Sequence, residues 1–131
     1  MNLIFHHTGI VVDNIEEVAA SYKPLFGENS ISKKYYVSTQ GVNVCFIAVG
    51  SGAYLELVES ATENSVVNKL RKKGQTYYHV GYLTTNIEAT VQELILLNYK
   101  PLEFFKSEAF EGKRCIFLFS PDAHLIELIE K

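Results

Sequence analysis

Hydrophobic and polar residues follow strand-like and helix-like patterns that recur in the same order in both halves of the chain. Runs rich in apolar and β-branched residues predict strands, and apolar residues at helical spacing predict helices. The first half reads as a strand at about 3–12, a helix at about 14–26 and strands at about 31–38, 42–49 and 53–60. The second half reads as a strand at about 76–84, a helix at about 86–97 and strands at about 102–106, 113–120 and 124–130.

Each predicted helix start carries a capping-box pattern, Asp13–Glu16 in the first half and Thr85–Glu88 in the second. A short amphipathic helix at about 65–73 connects the halves and ends at Gly74. The pattern therefore predicts two βαβββ modules, at about 1–60 and 75–131, joined by a linker helix segment at about 61–74 within one domain, 1–131.

The two modules also match in sequence. A shift of 72 residues superposes His7-Thr8-Gly9 on His79-Val80-Gly81. A shift of 71 superposes Leu55-Glu56-Leu57-Val58-Glu59 on Ile126-Glu127-Leu128-Ile129-Glu130. The spacing from histidine to glutamate is 49 residues in the first half and 48 in the second. Matches in register at both ends of a half indicate an internal duplication.

Strand alternation identifies candidate functional residues. Leu55 and Leu57 point to one face of their strand and cover the helix, so Glu56 points to the opposite, concave face. The same argument places Glu127 on the concave face. His7 and His79 open the equivalent first strands, so a pseudo-twofold arrangement brings all four side chains together.

Two imidazoles and two carboxylates form a mixed nitrogen and oxygen site for one divalent metal ion, and this ligand set suits cobalt, nickel, manganese or zinc. The competing interpretation is that duplication merely copied these residues. A single histidine in a strand is usually a core or surface residue, which is our interpretation of His6 and His124. Glu59 and Glu130 are interpreted as solvated.

Composition excludes several classes of protein. The 131 residues are 47% hydrophobic and 21% charged with a net charge of −3, which is typical of a globular domain. No basic cluster exceeds three residues, so nucleic acid is not an expected partner. No stretch is long enough to span a membrane and no signal peptide is visible, so we expect a cytoplasmic protein. Cys45 and Cys115 are expected to be buried free thiols.

The paired modules, with histidine near each start and glutamate near each end, resemble the vicinal oxygen chelate superfamily (glyoxalase, bleomycin resistance and dioxygenase fold) over nearly the whole chain. This resemblance implies an α+β fold in which two tandem βαβββ modules form a curved, cleft-enclosing mixed sheet with helices outside. It also implies that His7, Glu56, His79 and Glu127 bind one divalent metal ion.

Two branches of the superfamily compete. Gln40-Gly41-Val42, Ser65-Val66-Val67 and Gly112-Lys113-Arg114 look like methylmalonyl-CoA epimerases. Ser120-Pro121-Asp122, running into the last strand, is similar to glyoxalase I, the lactoylglutathione lyase. Val44 departs from the first branch, because some epimerases carry a catalytic glutamate there, and this leaves the second base open. The substrate implied is a small molecule, a CoA thioester or a glutathione adduct.

The leading expectation is metal-dependent epimerisation of methylmalonyl-CoA, through α-proton abstraction and enediolate stabilisation. Glu127 and Glu56 are the expected catalytic bases, and Lys113 and Arg114 the candidate substrate-binding residues. Lactoylglutathione lyase and a metal-free drug-binding protein are the alternatives. We expect a homodimer in which each chain holds a complete site, the other arrangement being a site shared across a swapped dimer.

Overall fold

The structure is a computed structural model that describes residues 1–131. Its first module consists of β1 (Ile4–Val11), α1 (Ile15–Phe26), β2 (Tyr35–Val37), β3 (Val42–Gly50) and β4 (Ala53–Ser60). The connecting helix is α2 (Val66–Lys72). The second module consists of β5 (Tyr77–Thr84), α3 (Ile87–Leu96), β6 (Lys100–Ser107), β7 (Lys113–Phe119) and β8 (Leu125–Glu130). Short 3₁₀ turns occupy Glu28–Ser30 and Glu108–Phe110.

All eight strands form one mixed sheet in the order β2-β3-β4-β1-β5-β8-β7-β6. β1 pairs in parallel with β4, and β5 pairs in parallel with β8. The antiparallel pair β1 and β5 joins the modules at the centre of the sheet. Each module therefore repeats the strand order of the other about this central pair, and the predicted α+β fold of two βαβββ modules is confirmed.

Helices α1 and α3 cover equivalent regions of the convex face. Ile15 and Ala19 of α1 pack against Leu57 and its neighbours in the first module. Ile87, Val91 and Leu94 of α3 pack on Ile116, Leu118 and Leu128 in the second. A third apolar cluster lies on the concave face and includes Val11, Phe46, Val58 and Phe117. Helix α2 adds Val67 to this concave cluster, so it closes one end of the cleft.

Three local predictions are wrong by a small margin. The N-caps are Asn14 and Asn86, whose side chains accept from the N–H groups of Glu17 and Ala89, and not Asp13 and Thr85. Asp13 is instead paired with the guanidinium of Arg71. Strand β2 has only three residues, because the preceding segment contacts β3 through a single bridge and a serine side chain.

No helix in the structure combines the length and the apolar character that a membrane crossing requires.

Candidate metal centre

The structure brings His7, Glu56, His79 and Glu127 into one buried cluster. One ligand atom from each lies within 4.8 Å of the others. The histidines are 0–1% exposed and the glutamates 4% exposed. All four residues belong to one chain, so the cluster is complete without a partner molecule.

Two rows of paired residues across the centre of the sheet explain this convergence. In one row, Gly9 of β1 is paired with Glu56 of β4 on one side and with His79 of β5 on the other. In the other row, Gly81 is paired with His7 of β1 and with Glu127 of β8. Each row thus joins a histidine of one module to a glutamate of the other module across a glycine.

The glycines leave the space that the imidazole rings occupy. A Cβ atom on Gly9 would lie 2.6 Å from Cε1 of His79, and a Cβ atom on Gly81 would overlap the ring of His7 still more closely. Real Cβ atoms essentially never make contacts this short. The repeated His-x-Gly motif therefore supplies both a ligand and the space for the ligand of the opposite module.

The ligand atoms are spaced as one ion requires. Nε2 of His7 is 2.9 Å from Nε2 of His79. Oε1 of Glu127 is 3.2 Å from Nε2 of His7, and Oε1 of Glu56 is 3.2 Å from Nε2 of His79. Two atoms bound at ~2.1 Å to one ion are ~3.0 Å apart at a right angle and ~3.4 Å apart at the tetrahedral angle. The five pairs that include a histidine, at 2.9–3.5 Å, therefore already stand at ligand–ligand separations, and the two carboxylates lie within 4.8 Å of each other.

Two buried polar atoms of the cluster lack a hydrogen-bond partner, Nδ1 of His79 and Oε1 of Glu127. The Glu127 oxygen is near both imidazoles but receives no well-aligned N–H from either. A buried carboxylate oxygen without a donor is costly, and a cation at the centre of the cluster would satisfy it. The residues present therefore fit a divalent metal ion.

The electrostatics of the cluster favour ion pairs between the modules. Burial alone would raise the pKa of Glu127, but the imidazoles of His7 and His79 outweigh burial and lower this pKa to about 2. Burial alone would lower the pKa of His79, but Glu127 and Glu56 outweigh it and raise this pKa to about 9. Without an ion, the carboxylate of Glu127 and a protonated His79 thus stabilise each other.

His6 contacts the cluster although sequence reasoning assigned it no function. Its Nδ1 lies 2.9 Å from Nδ1 of His7, the ring nitrogen that faces away from the cluster centre. Its ring stacks on Tyr54, with centroids 4.8 Å apart. Burial and the adjacent His7 lower the pKa of His6 to about 4, so its ring is neutral near pH 7.

A β-bulge turns His6 toward the cleft. Phe5 pairs with Tyr82 and His7 with Gly81, which leaves His6 as an extra residue without a partner on β5. Strict alternation would direct His6 away from His7. The shift of 72 residues superposes His6 on Tyr78, and the structure shows that Tyr78 is also bulged, but the sequence gives no signal of either bulge.

The two candidate substrate-binding residues lie in different environments. Arg114 donates to Glu88 of α3 and Glu130 of β8 at 2.7 Å each, and it neighbours Ile116 on the helix-covered face. The structure therefore does not bring Arg114 into the cleft, because strand alternation separates it from Lys113. Lys113 lines a cavity of about 260 Å³ together with His6 and Phe110.

Phe110 links this cavity to the cluster. It lies in the 3₁₀ turn Glu108–Phe110, and its ring stacks on His7 with centroids 6.0 Å apart. Glu108 of the same turn accepts from the backbone N–H and the hydroxyl of Ser38, so the turn is held against the first module. The aromatic cover explains why the four ligands are almost inaccessible to solvent.

Residues 6–119 match the family profile of the Glyoxalase/Bleomycin resistance protein/Dioxygenase superfamily. The fold is similar to that of methylmalonyl-CoA epimerase from Mycobacterium tuberculosis, with a TM-score of 0.84, 22% identity, and coverage of 96% of this chain and 86% of that chain. A methylmalonyl-CoA epimerase in complex with methylmalonyl-CoA and NH4+ gives a TM-score of 0.84 at 23% identity, covering 100% and 96% of the two chains.

A Streptomyces coelicolor methylmalonyl-CoA epimerase variant in complex with 2-nitronate-propionyl-CoA gives a TM-score of 0.82 at 23% identity, with 99% of each chain covered. No curated protein matches the sequence significantly. At these identities the solved structures show the shared fold, whereas the profile covers most of the chain. The chain belongs to the Glyoxalase/Bleomycin resistance protein/Dioxygenase superfamily.

Proposed function

We propose that this protein is a metal-dependent epimerase of methylmalonyl-CoA in which His7, Glu56, His79 and Glu127 bind one divalent ion. The observation that carries the proposal is the buried His₂Glu₂ cluster, spaced for one ion and built on the fold of methylmalonyl-CoA epimerases. Each module supplies one histidine and one glutamate, so the proposed site requires both modules and the two form a single domain. Homodimer formation and a cytoplasmic location stay predictions from the sequence.

The ion would supply Lewis-acid stabilisation of the negative charge that develops on the thioester carbonyl oxygen when the α-proton leaves. Four protein ligands leave further coordination positions for substrate oxygens if the ion is six-coordinate. The histidines of β1 and β5 and the glutamates of β4 and β8 would hold the ion. This arrangement places one carboxylate on each side of the central strand pair.

Epimerisation requires a proton to leave one face of the α-carbon and another to arrive at the opposite face. Glu56 and Glu127 lie on opposite sides of the strand pair β1 and β5. Each carboxylate can therefore exchange a proton with one face of the α-carbon. The lowered pKa of Glu127 keeps its carboxylate ionised, which is the form that binds a metal ion. Val44 is buried in the concave apolar cluster and has no group that could replace either base.

The apolar surroundings support the same chemistry. Phe46 and Phe110 cover His7, and Phe117 contacts His79, so water is excluded around the cluster. Charge stabilisation is stronger in such a site because the local dielectric constant is low. Lys113, which makes no ion pair, lines the adjoining cavity and is the candidate contact for an anionic part of the substrate.

An assay with two substrates tests the proposal. The metal-reconstituted protein is given methylmalonyl-CoA and the methylglyoxal–glutathione hemithioacetal in parallel, and solvent deuterium incorporation at the α-carbon is followed by mass spectrometry. We expect epimerisation with exchange for the CoA thioester only. Turnover of the hemithioacetal alone would favour the lactoylglutathione lyase alternative. Deuterium exchange that persists undiminished in both Glu56→Ala and Glu127→Ala would show that neither glutamate is a catalytic base.

A further inference from the structure

We infer that His6 is a positioning residue for the metal centre, whose Nδ1 accepts the Nδ1 proton of His7 and so holds the Nε2 lone pair of His7 toward the ion. The inference rests on the proposed metal-ligand role of His7. It concerns a residue outside the ligand set and the partner that receives the Nδ1 proton of His7.

The direction of the hydrogen bond follows from the proposed ligand role of His7. Nδ1 of His6 and Nδ1 of His7 are 2.9 Å apart, so one of them carries the shared proton. If His6 were the donor, neutral His7 would carry its proton on Nε2, the atom that faces Glu56, His79 and Glu127. That tautomer has no lone pair to bind a metal. Only the tautomer with the proton on Nδ1 makes His7 a ligand, and in it His6 is the acceptor.

The surroundings hold His6 in the accepting position. Its ring stacks on Tyr54 and meets the edges of Phe46 and Phe110 with centroids 5.9 and 5.4 Å away. The ring plane is almost perpendicular to that of His7, at 88°, which leaves the two Nδ1 atoms facing each other. These contacts come from β3, β4 and the Glu108–Phe110 turn, so residues of both modules fix the imidazole of His6.

The second module offers an internal comparison. Tyr78 is the bulged residue before His79, as His6 is before His7. The Tyr78 ring lies edge-on to His79 with centroids 4.5 Å apart, but it supplies no acceptor, and Nδ1 of His79 has no partner. Both modules thus have a β-bulge one residue before the histidine, and only the first module uses the bulged residue to orient a ligand.

Outer hydrogen bonds to ligating histidines fix the ring and raise its basicity, and their loss typically costs 10–100-fold in metal affinity. Two variants separate this role from packing. His6→Phe keeps an aromatic ring for the stack on Tyr54 and removes the acceptor. His6→Asn removes the ring and keeps an acceptor, because Oδ1 of asparagine stands where Nδ1 of histidine does. Tyr78→Phe is the matched control in the second module.

The experiment measures the affinity of the full chain for Zn²⁺ by competition with a fluorescent chelator. We expect His6→Phe to weaken affinity by roughly 10–100-fold, and His6→Asn and Tyr78→Phe to stay within about threefold of the unmodified chain. Affinity that is unchanged in His6→Phe, or lost as strongly in His6→Asn as in His6→Phe, would overturn the inference. An unmodified chain that binds no Zn²⁺ would overturn the proposed metal centre together with it.

A second measurement needs no variant and covers the case in which His6→Phe does not fold. In the ¹⁵N-labelled, zinc-loaded protein, an N–H···N hydrogen bond gives a scalar coupling between the two Nδ1 nuclei, with the proton signal assigned to His7. We expect this coupling between His6 and His7. Its absence, or a proton assigned to Nδ1 of His6, would refute the accepting role while leaving the proposed epimerase activity to its own assay.

Discussion

In the first module, the outer ring nitrogen of His7 lies 2.9 Å from Nδ1 of His6, whereas in the second module the equivalent nitrogen of His79 has no partner. The same contrast holds for the glutamates that end the repeated motif. Glu59 accepts from the backbone N–H of Ile15 at the start of α1, and Glu130 pairs with Arg114 at the surface. Topology, strand register and ligand identity are alike in both modules, while the contacts around the ligands differ.

This difference shows which parts of a duplicated site the fold constrains. The paired rows across the central strands require a histidine, a glycine and a glutamate in each module, because any other arrangement would separate the ligands or fill the space of a ring. The residues that contact the ligands from outside are under no such geometric requirement. They can therefore diverge, and the two halves of the cluster acquire different electrostatics.

The largest expected effect comes from removing a ligand that also serves as a base. Glu127→Ala leaves the ion with one fewer carboxylate and one face of the α-carbon without a proton acceptor. Turnover should fall by roughly 10²–10⁴-fold with metal in excess, measured by the epimerisation assay. Glu130→Ala is the matched control, because that side chain is three residues away, does not belong to the four-residue cluster and pairs with Arg114. A loss in Glu130→Ala with Glu127→Ala unaffected would contradict the assigned site.

Metal affinity should depend steeply on pH. The pKa of His79 is raised to about 9 in the metal-free cluster, so near neutral pH an ion must displace a proton from it. Affinity should therefore rise about tenfold per pH unit between roughly pH 6 and 8, measured by metal titration. His124→Asn, which removes an exposed histidine, should leave the slope unchanged. An affinity that is constant over this interval would contradict proton competition at the cluster.

The pKa values of His79 and Glu127 determine how the stability of the metal-free protein changes with pH. Since the pKa of His79 is raised from 6.5 to about 9, its contribution is complete below 6.5 and is lost as pH rises through about 9. Since the pKa of Glu127 is lowered from 4.5 to about 2, its contribution is present above 4.5 and is lost as pH falls through about 2. The metal-free protein should therefore become less stable above about pH 6.5, and bound metal should remove this alkaline decline.

The central glycines allow a direct comparison of the modules. Gly81→Ala would push a methyl group into the ring of His7, and Gly9→Ala would do the same to His79 with less overlap. We expect each to lower the free energy of unfolding by about 1–3 kcal/mol, with the larger loss in Gly81→Ala, together with weaker metal binding. Thermal unfolding and chelator competition measure the two effects. Thr8→Ala, between His7 and Gly9 on the same strand, is the control, and an equal loss in Thr8→Ala would contradict a specific role for the glycines.

Much of this site follows from sequence because it depends on alternation and repetition. Strand alternation placed Glu56 and Glu127 on the concave face, and the repeated His-x-Gly motif located His7 and His79. These inferences need only local periodicity and the assumption that both modules fold alike. The order and approximate limits of the strands and helices were available for the same reason.

The features that were missed depend on contacts distant in sequence. The bulge at His6 arises from the register between β1 and β5, and alternation within β1 gives no sign of it. The sequence predicts Arg114, like Lys113, as a substrate-binding residue, although its partners Glu88 and Glu130 lie 26 and 16 residues away in sequence on the other face. The N-caps were displaced by one residue because Asp13 and Asn14 are both good capping residues, and the pairing of Asp13 with Arg71 across 58 residues was not visible.

The smallest expected effect concerns the glutamates that end the repeats. Both were predicted to face solvent, but the side chain of Glu59 is only 13% exposed and accepts from the N–H of Ile15 at 2.8 Å and from the Asn43 amide at 3.0 Å. Glu59→Ala would leave these donors without an acceptor at the positive end of α1, so the free energy of unfolding should fall by about 1–2 kcal/mol. Glu130→Ala breaks an ion pair with Arg114 at a side chain that is 32% exposed, and it should change stability less than Glu59→Ala. Chemical denaturation of both variants makes the comparison, and equal stabilities would show that the two modules use this repeated glutamate alike.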